Sequence, residues 1–151
     1  MPLFETTDKL TVPLDGAFDF FSRPANLLKI SPPELHFQLV DGPEVLTLGS
    51  RFTLQGRRWG IVQRIVNEVI VWEPGSHFVD VQHAGPFKKW QHTHAFEALP
   101  DGGTRLIDRI EYETPGGMLG LVLTVKAVQR ELERVFAYRS QQLSRLFQNG
   151  E

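Results

Sequence analysis

The sequence predicts an α+β fold in the order β-α-α-β6-α: a curved antiparallel sheet of seven strands, two short helices and one long C-terminal helix. Three observations predict it. Between residues 35 and 113 apolar and polar residues alternate in runs separated by Gly, Pro and Asp, the period-two signature of strands joined by short turns. After Pro115-Gly116-Gly117 the period changes, and an apolar stripe at three- and four-residue spacing runs almost to the end of the chain. Between Asp15 and Ile30 two short helical patterns are broken at Arg23-Pro24 and halted at Ser31-Pro32-Pro33.

Taken in order, residues 3–12 read as the first strand, with Leu10 and Val12 near its end. Asp15 is the expected N-cap of a helix whose face carries Ala17, Phe18, Phe20 and Phe21. The second helix carries Leu27, Leu28 and Ile30. Strands are expected near 35–41, 49–57, 59–70, 76–83, 88–98 and 103–113, with turns that include Gln55-Gly56, Glu73-Pro74-Gly75 and Asp101-Gly102-Gly103. One helix from about 118 to 148 carries the stripe Met118, Leu121, Val125, Val128, Leu132, Phe136 and Leu143. About thirty residues at ~1.5 Å each make it roughly 45 Å long, enough to cross a whole sheet. Residues 1–151 contain no repeat or linker and are expected to form one domain.

Composition narrows the function. The net charge is −2 with both signs interspersed, which argues against nucleic acid as a partner. There is no cysteine, so any metal would have to be held by His and carboxylate. No run of about eighteen apolar residues occurs, and no transmembrane segment is expected. The start, Met1-Pro2-Leu3-Phe4-Glu5-Thr6, lacks the basic and apolar regions of a secretory signal, so a cytoplasmic location is expected.

The chemistry concentrates in two strands. Period two places Trp90, His92, His94 and Phe96 on one face, and Leu106, Asp108, Ile110 and Tyr112 on one face of the next strand. Ionisable groups on an apolar face need partners. A hairpin closed at Pro100-Asp101-Gly102-Gly103 sets Asp108 opposite His94 or His92, depending on register. The trio could ligate a metal, transfer a proton with Asp108 orienting an imidazole, or line a polar pocket. Arg139 falls inside the apolar stripe, seven residues after Leu132 and four before Leu143. It therefore needs Asp108, Glu97 or a ligand oxygen beside it. Gly116-Gly117-Met118-Leu119-Gly120 could form a mobile lip, but lacks the Lys-Ser/Thr of a phosphate loop. No serine lies in a nucleophile elbow.

Several stretches resemble the START-like, or SRPBCC helix-grip, superfamily, and in particular its bacterial polyketide cyclase-like, ligand-binding branch. They are Asn26-Leu27 with Ile30-Ser31-Pro32, Gly85-Pro86-Phe87 with Trp90, His92, His94 and Phe96, then Thr104, Asp108, Tyr112 and Phe136-Ala137-Tyr138-Arg139. The resemblance spans essentially the whole chain. It implies a hydrophobic cavity between sheet and long helix, no cofactor, and a small hydrophobic ligand such as a lipid, quinone or polyketide-like molecule. Trp59, Trp90, Phe96, Met118 and Phe136 would then contact the ligand's apolar body. His92, His94, Asp108, Tyr112 and Arg139 would orient its oxygenated end. Two alternatives stand beside this carrier or sensor: a cyclase, dehydratase or isomerase using a His–Asp pair, with His92, His94 and Asp108 as candidates, and an interaction module with a filled core. A monomer and a homodimer fit equally.

Overall fold

Seven antiparallel strands form one sheet in the order β1-β7-β6-β5-β4-β3-β2 in a computed structural model that describes residues 1–58 and 61–149. β1 (Leu3–Leu10) is followed by α1 (Leu14–Phe21) and two 3-10 turns, Pro24–Lys29 and Pro33–Leu35. β2 (Gln38–Asp41), β3 (Arg51–Arg58), β4 (Ile61–Glu73), β5 (His77–Ala84), β6 (Lys89–Ala98) and β7 (Thr104–Glu113) then run as a meander. β1 closes the far edge by pairing with β7. The C-terminal region contains α2 (Leu119–Val122) and α3 (Val125–Ser144), ending in a π-helical turn, Arg145–Asn149. The expected element order holds, with three corrections.

Gln55-Gly56 is not a turn. β3 continues through Gly56, which pairs with Gln63. A side chain at Gly56 would come within 2.7 Å of the Phe37 ring, so the glycine serves a close approach within a strand. Asp15 does not cap α1. Pro13 occupies that position, and Asp15 lies in the first turn, where its charge suits the helix dipole.

The long helix is also not continuous from residue 118. It breaks at Leu123 and restarts after Thr124, whose extended backbone and side-chain oxygen, accepting from the Ala127 amide at 3.2 Å, form an N-cap. The apolar stripe runs through this break because a threonine cap competes locally with helix without disturbing the spacing. Thr124→Ala is expected to destabilise the protein by about 1 kcal/mol in urea denaturation, with Thr124→Ser close to wild type.

α3 lies across the sheet. Gln129 donates to the Leu3 carbonyl and to the Tyr112 hydroxyl, at 3.2 and 2.9 Å, while Ser140 bonds Asp8 on β1. The core under the helix has two apolar clusters. One gathers Leu10, Phe18, Phe21, Phe78, Phe96, Leu106 and Leu143. The other gathers Phe4, Ile110, Tyr112, Val128, Leu132 and Phe136. The residues between them along each element are charged or polar. Asp108 lies between Leu106 and Ile110, Arg139 between Phe136 and Leu143, and His94 and His92 follow Phe96 down β6 toward Trp90.

Candidate functional site

Backbone pairing sets His94 opposite Asp108 and Asp80 opposite His92, yet the side chains bond along the diagonals. His92 Nε2 lies 2.7 Å from Asp108 Oδ1, and His94 Nε2 lies 2.7 Å from Asp80 Oδ2. The two imidazoles stack with centroids 3.7 Å apart, and Phe78 stacks on the outer side of His94 at 4.2 Å. Phe136 from α3 meets His92 edge-on at 6.1 Å. All four polar residues are buried, Asp108 completely.

Arg139 enters from α3. Its Nη2 is 3.5 Å from Asp108 Oδ1, and its guanidinium lies between the Phe21 and Phe136 rings at 5.0 and 4.9 Å. Of the partners considered from the sequence, Asp108 is the one it meets. Glu97 is exposed and pairs with Arg105. Two aromatic faces and a carboxylate replace the water that a guanidinium would otherwise keep.

The environment fixes the protonation of two members. Burial alone would raise the Asp108 carboxyl, but the Arg139 charge and the His92 hydrogen bond outweigh it and hold the group well below the ordinary carboxylate range. Burial, assisted by repulsion from His92, pushes His94 down to about 4 against the attraction of Asp80. His94 is therefore a neutral imidazole at pH 7. Its Nε2 proton points at Asp80, which leaves Nδ1 with a lone pair.

Three buried side-chain atoms have no hydrogen-bond partner among the described residues: His94 Nδ1, Asp108 Oδ2 and Arg139 Nε. All three belong to this cluster. His94 Nδ1 is 3.7 Å from Asp108 Oδ1, the same oxygen that faces Arg139. One buried cluster thus holds two unpartnered acceptors and one unpartnered donor, groups that a hydroxyl or a carbonyl can satisfy. Asp80, His92 and His94 also bring one potential metal ligand each within 4.8 Å of one another. In this structure each Nε2 faces its own carboxylate at hydrogen-bonding distance, which is the geometry of a shared proton.

Of the residues expected from sequence, the structure brings together His92, His94, Asp108, Arg139 and Phe136. Trp90 packs on Phe87 and Tyr112, the Tyr112 hydroxyl bonds Gln129, and neither joins the cluster. Phe96 belongs to the apolar core with Phe18 and Phe21. Met118 is 85% exposed, and Trp59 lies outside the described residues. Asp80 and Phe21 are members that the sequence reading missed. Period two sets Asp80 on the Phe78 face of β5, and that alternation was the available signal.

The family model described as polyketide cyclase / dehydrase and lipid transport matches residues 1–140. The chain belongs to this family. Among solved structures it is similar to protein CV1439 from Chromobacterium violaceum, with 14% identity, TM-score 0.73, and coverage of 97% of this chain and 98% of that one. It is similar to the Zhui aromatase/cyclase from Streptomyces sp. R1128, with 16% identity, TM-score 0.68, and coverage of 96% and 94%. The protein TTHA0849 from Thermus thermophilus is a third, at 17% identity, TM-score 0.65, and coverage of 94% and 97%. No curated protein matches the chain. At these identities the structural likeness establishes the helix-grip fold, and the family supports a ligand-binding or cyclase role. No helix among the described residues is long and apolar enough to cross a membrane.

Proposed function

We propose that this family member binds a small hydrophobic molecule between its sheet and α3, with an oxygenated group of the ligand seated on Asp108, Arg139 and His94. The observation that carries this reading is that three unpartnered buried polar atoms belong to one cluster flanked by apolar clusters. Each costs about 1–3 kcal/mol while unsatisfied, so a hydroxyl or carbonyl placed there gains more than it would at a site already satisfied. Phe136 and Phe21, which already flank Arg139, are the nearest candidates to hold the ligand's apolar body.

Arg139→Lys tests this directly. It keeps a cation beside Asp108 but removes the Nε donor. In titrations with an environment-sensitive apolar dye and competing hydroxylated aromatic or acyl compounds, wild type is expected to bind saturably. The variant is expected to bind hydroxylated competitors roughly tenfold more weakly, the loss of one charge-assisted hydrogen bond. No saturable binding of dye or competitor, and no molecule co-purifying from the native host, would overturn the reading.

One observation favours a second reading, proton transfer. His94 is neutral, its tautomer is held by Asp80, and its free Nδ1 lies 3.7 Å from Asp108 Oδ1, the oxygen that also faces the Arg139 guanidinium. A cyclase, dehydratase or isomerase would use this arrangement, and a His94→Gln variant that binds substrate yet fails to convert it would select this reading over simple carriage.

A further inference from the structure

We propose that the α2 lip docks the protein on an anionic lipid bilayer, inserting Met118, Leu121 and Val122 while surrounding lysines meet the headgroups. This inference stands independently of what the interior binds. Residues 115–125 contain no charged side chain. Met118, Leu121 and Val122 are 85%, 79% and 64% exposed, and Leu119 and Val125 are exposed as well. Large aliphatic groups adjoining one another in the chain and left in water are costly for a structure with no use for them.

The lip is built rather than frayed. Gly117 adopts a left-handed φ of 62°, and a side chain at Gly120 would run into the carbonyl of Pro115. The turn is closed by Leu121 N to Met118 O at 3.1 Å and Leu123 N to Leu119 O at 2.9 Å. Both ends are anchored: Pro115 is buried, and Leu123 packs against the Tyr112–Phe136 cluster. The chain therefore holds these apolar groups outward.

Charge identifies the occupant. Lys88 and Lys89 enter from the β5–β6 connection, where the Lys88 amide bonds the Glu113 carbonyl at 3.2 Å and its side chain runs along Gly116. Lys126 and Arg130 lie on the first turns of α3, and all four cations are exposed. Residues 83–90 and 114–130 contain no acidic residue; Glu113, opposite Lys89, and Glu131, next to Arg130, adjoin them. Setting these four aside leaves twelve basic against eighteen acidic residues in the rest of the chain. An anionic surface therefore repels most of the molecule and attracts this end, which orients the encounter. A short aliphatic tip with a cationic rim suits the headgroup–acyl boundary, where apolar burial and headgroup attraction add.

The test is co-sedimentation of the full chain with vesicles of phosphatidylcholine alone and of phosphatidylcholine mixed with phosphatidylserine. Binding is expected to the mixed vesicles, weaker to the neutral ones, and reduced by salt. Leu121→Asp should weaken it at least about tenfold, and Lys88→Ala and Lys89→Ala about fivefold each on mixed vesicles. These side chains are exposed, so the thermal transition should stay unchanged. Failure to sediment with either vesicle, or sedimentation indifferent to Leu121→Asp, overturns the proposal. So does a dimer in sedimentation equilibrium that Leu121→Asp dissociates, which would give the lip to a second copy of the chain. Dye binding by Leu121→Asp is read separately and reports on the interior alone.

Discussion

Replacing Asp108 by alanine is expected to cost on the order of 3–5 kcal/mol in urea unfolding, the largest effect of any single substitution proposed for this protein. The carboxylate is completely buried and accepts from His92 at 2.7 Å, with Arg139 at 3.5 Å. Its removal leaves the Arg139 guanidinium, set against the Phe21 and Phe136 rings, without its carboxylate. The double variant Asp108→Leu with Arg139→Met removes both charges and fills the space with apolar atoms. It should therefore be far less destabilised than the sum of the single variants, with a coupling of at least about 1 kcal/mol in the cycle. Additive effects would mean that the two charges are held by other groups.

Acid should destabilise the protein over two successive pH ranges, in the direction that each shift dictates. His94 is held near 4 in the folded protein against an ordinary value of 6.5, so between these values the unfolded chain binds a proton that the folded one refuses. Stability is therefore full above about pH 6.5 and falls as the pH drops toward 4, by up to roughly 3 kcal/mol. Asp108 acts below that window. Its carboxylate, held under its ordinary 3.8, contributes stability above that pH and loses it as acid protonates the folded form. Urea midpoints measured from pH 7.5 to 4 should trace the first range. His94→Gln, which can still donate to Asp80, should flatten the profile across it. An unchanged slope in the variant would assign the acid sensitivity to other groups.

The parts of this architecture that were legible in the sequence are those in which one periodicity dominates. Alternation along β6 and β7 was clean enough to place His92, His94 and Asp108 on the inner face, and the stripe of α3 was clean enough to expose Arg139 as an anomaly. Asp80 obeys the same alternation, but Val79 and Val81 are apolar on the opposite face, so β5 reads as a strand apolar on both sides and its carboxylate attracts no notice. Tyr112 shares a face with Asp108 but does not touch the polar cluster, and its hydroxyl bonds Gln129. Four residues at ~3.4 Å each separate them by about 13 Å, beyond the reach of a side chain. Diagonal pairing was also out of reach, because backbone register fixes which residues stand opposite but not how two stacked rings turn. Met118 is exposed and lies apart from the polar cluster. The helix is interrupted at Leu123 and Thr124, and spacing alone carries no trace of that break.

The polar band between the two apolar clusters also bears on how the chain finds its alignment. Sliding β6 by two residues against β7 would keep every side chain on its own face, and hydrophobic packing alone tolerates such exchanges at modest cost. A slide that sets Phe96 opposite Asp108 would carry His92 away from the carboxylate and leave charge buried without a partner. Moving α3 by one turn would do the same to Arg139. Oily residues thus declare which side of each element faces inward, while the charged ones act as an index mark that permits one alignment among several otherwise acceptable ones.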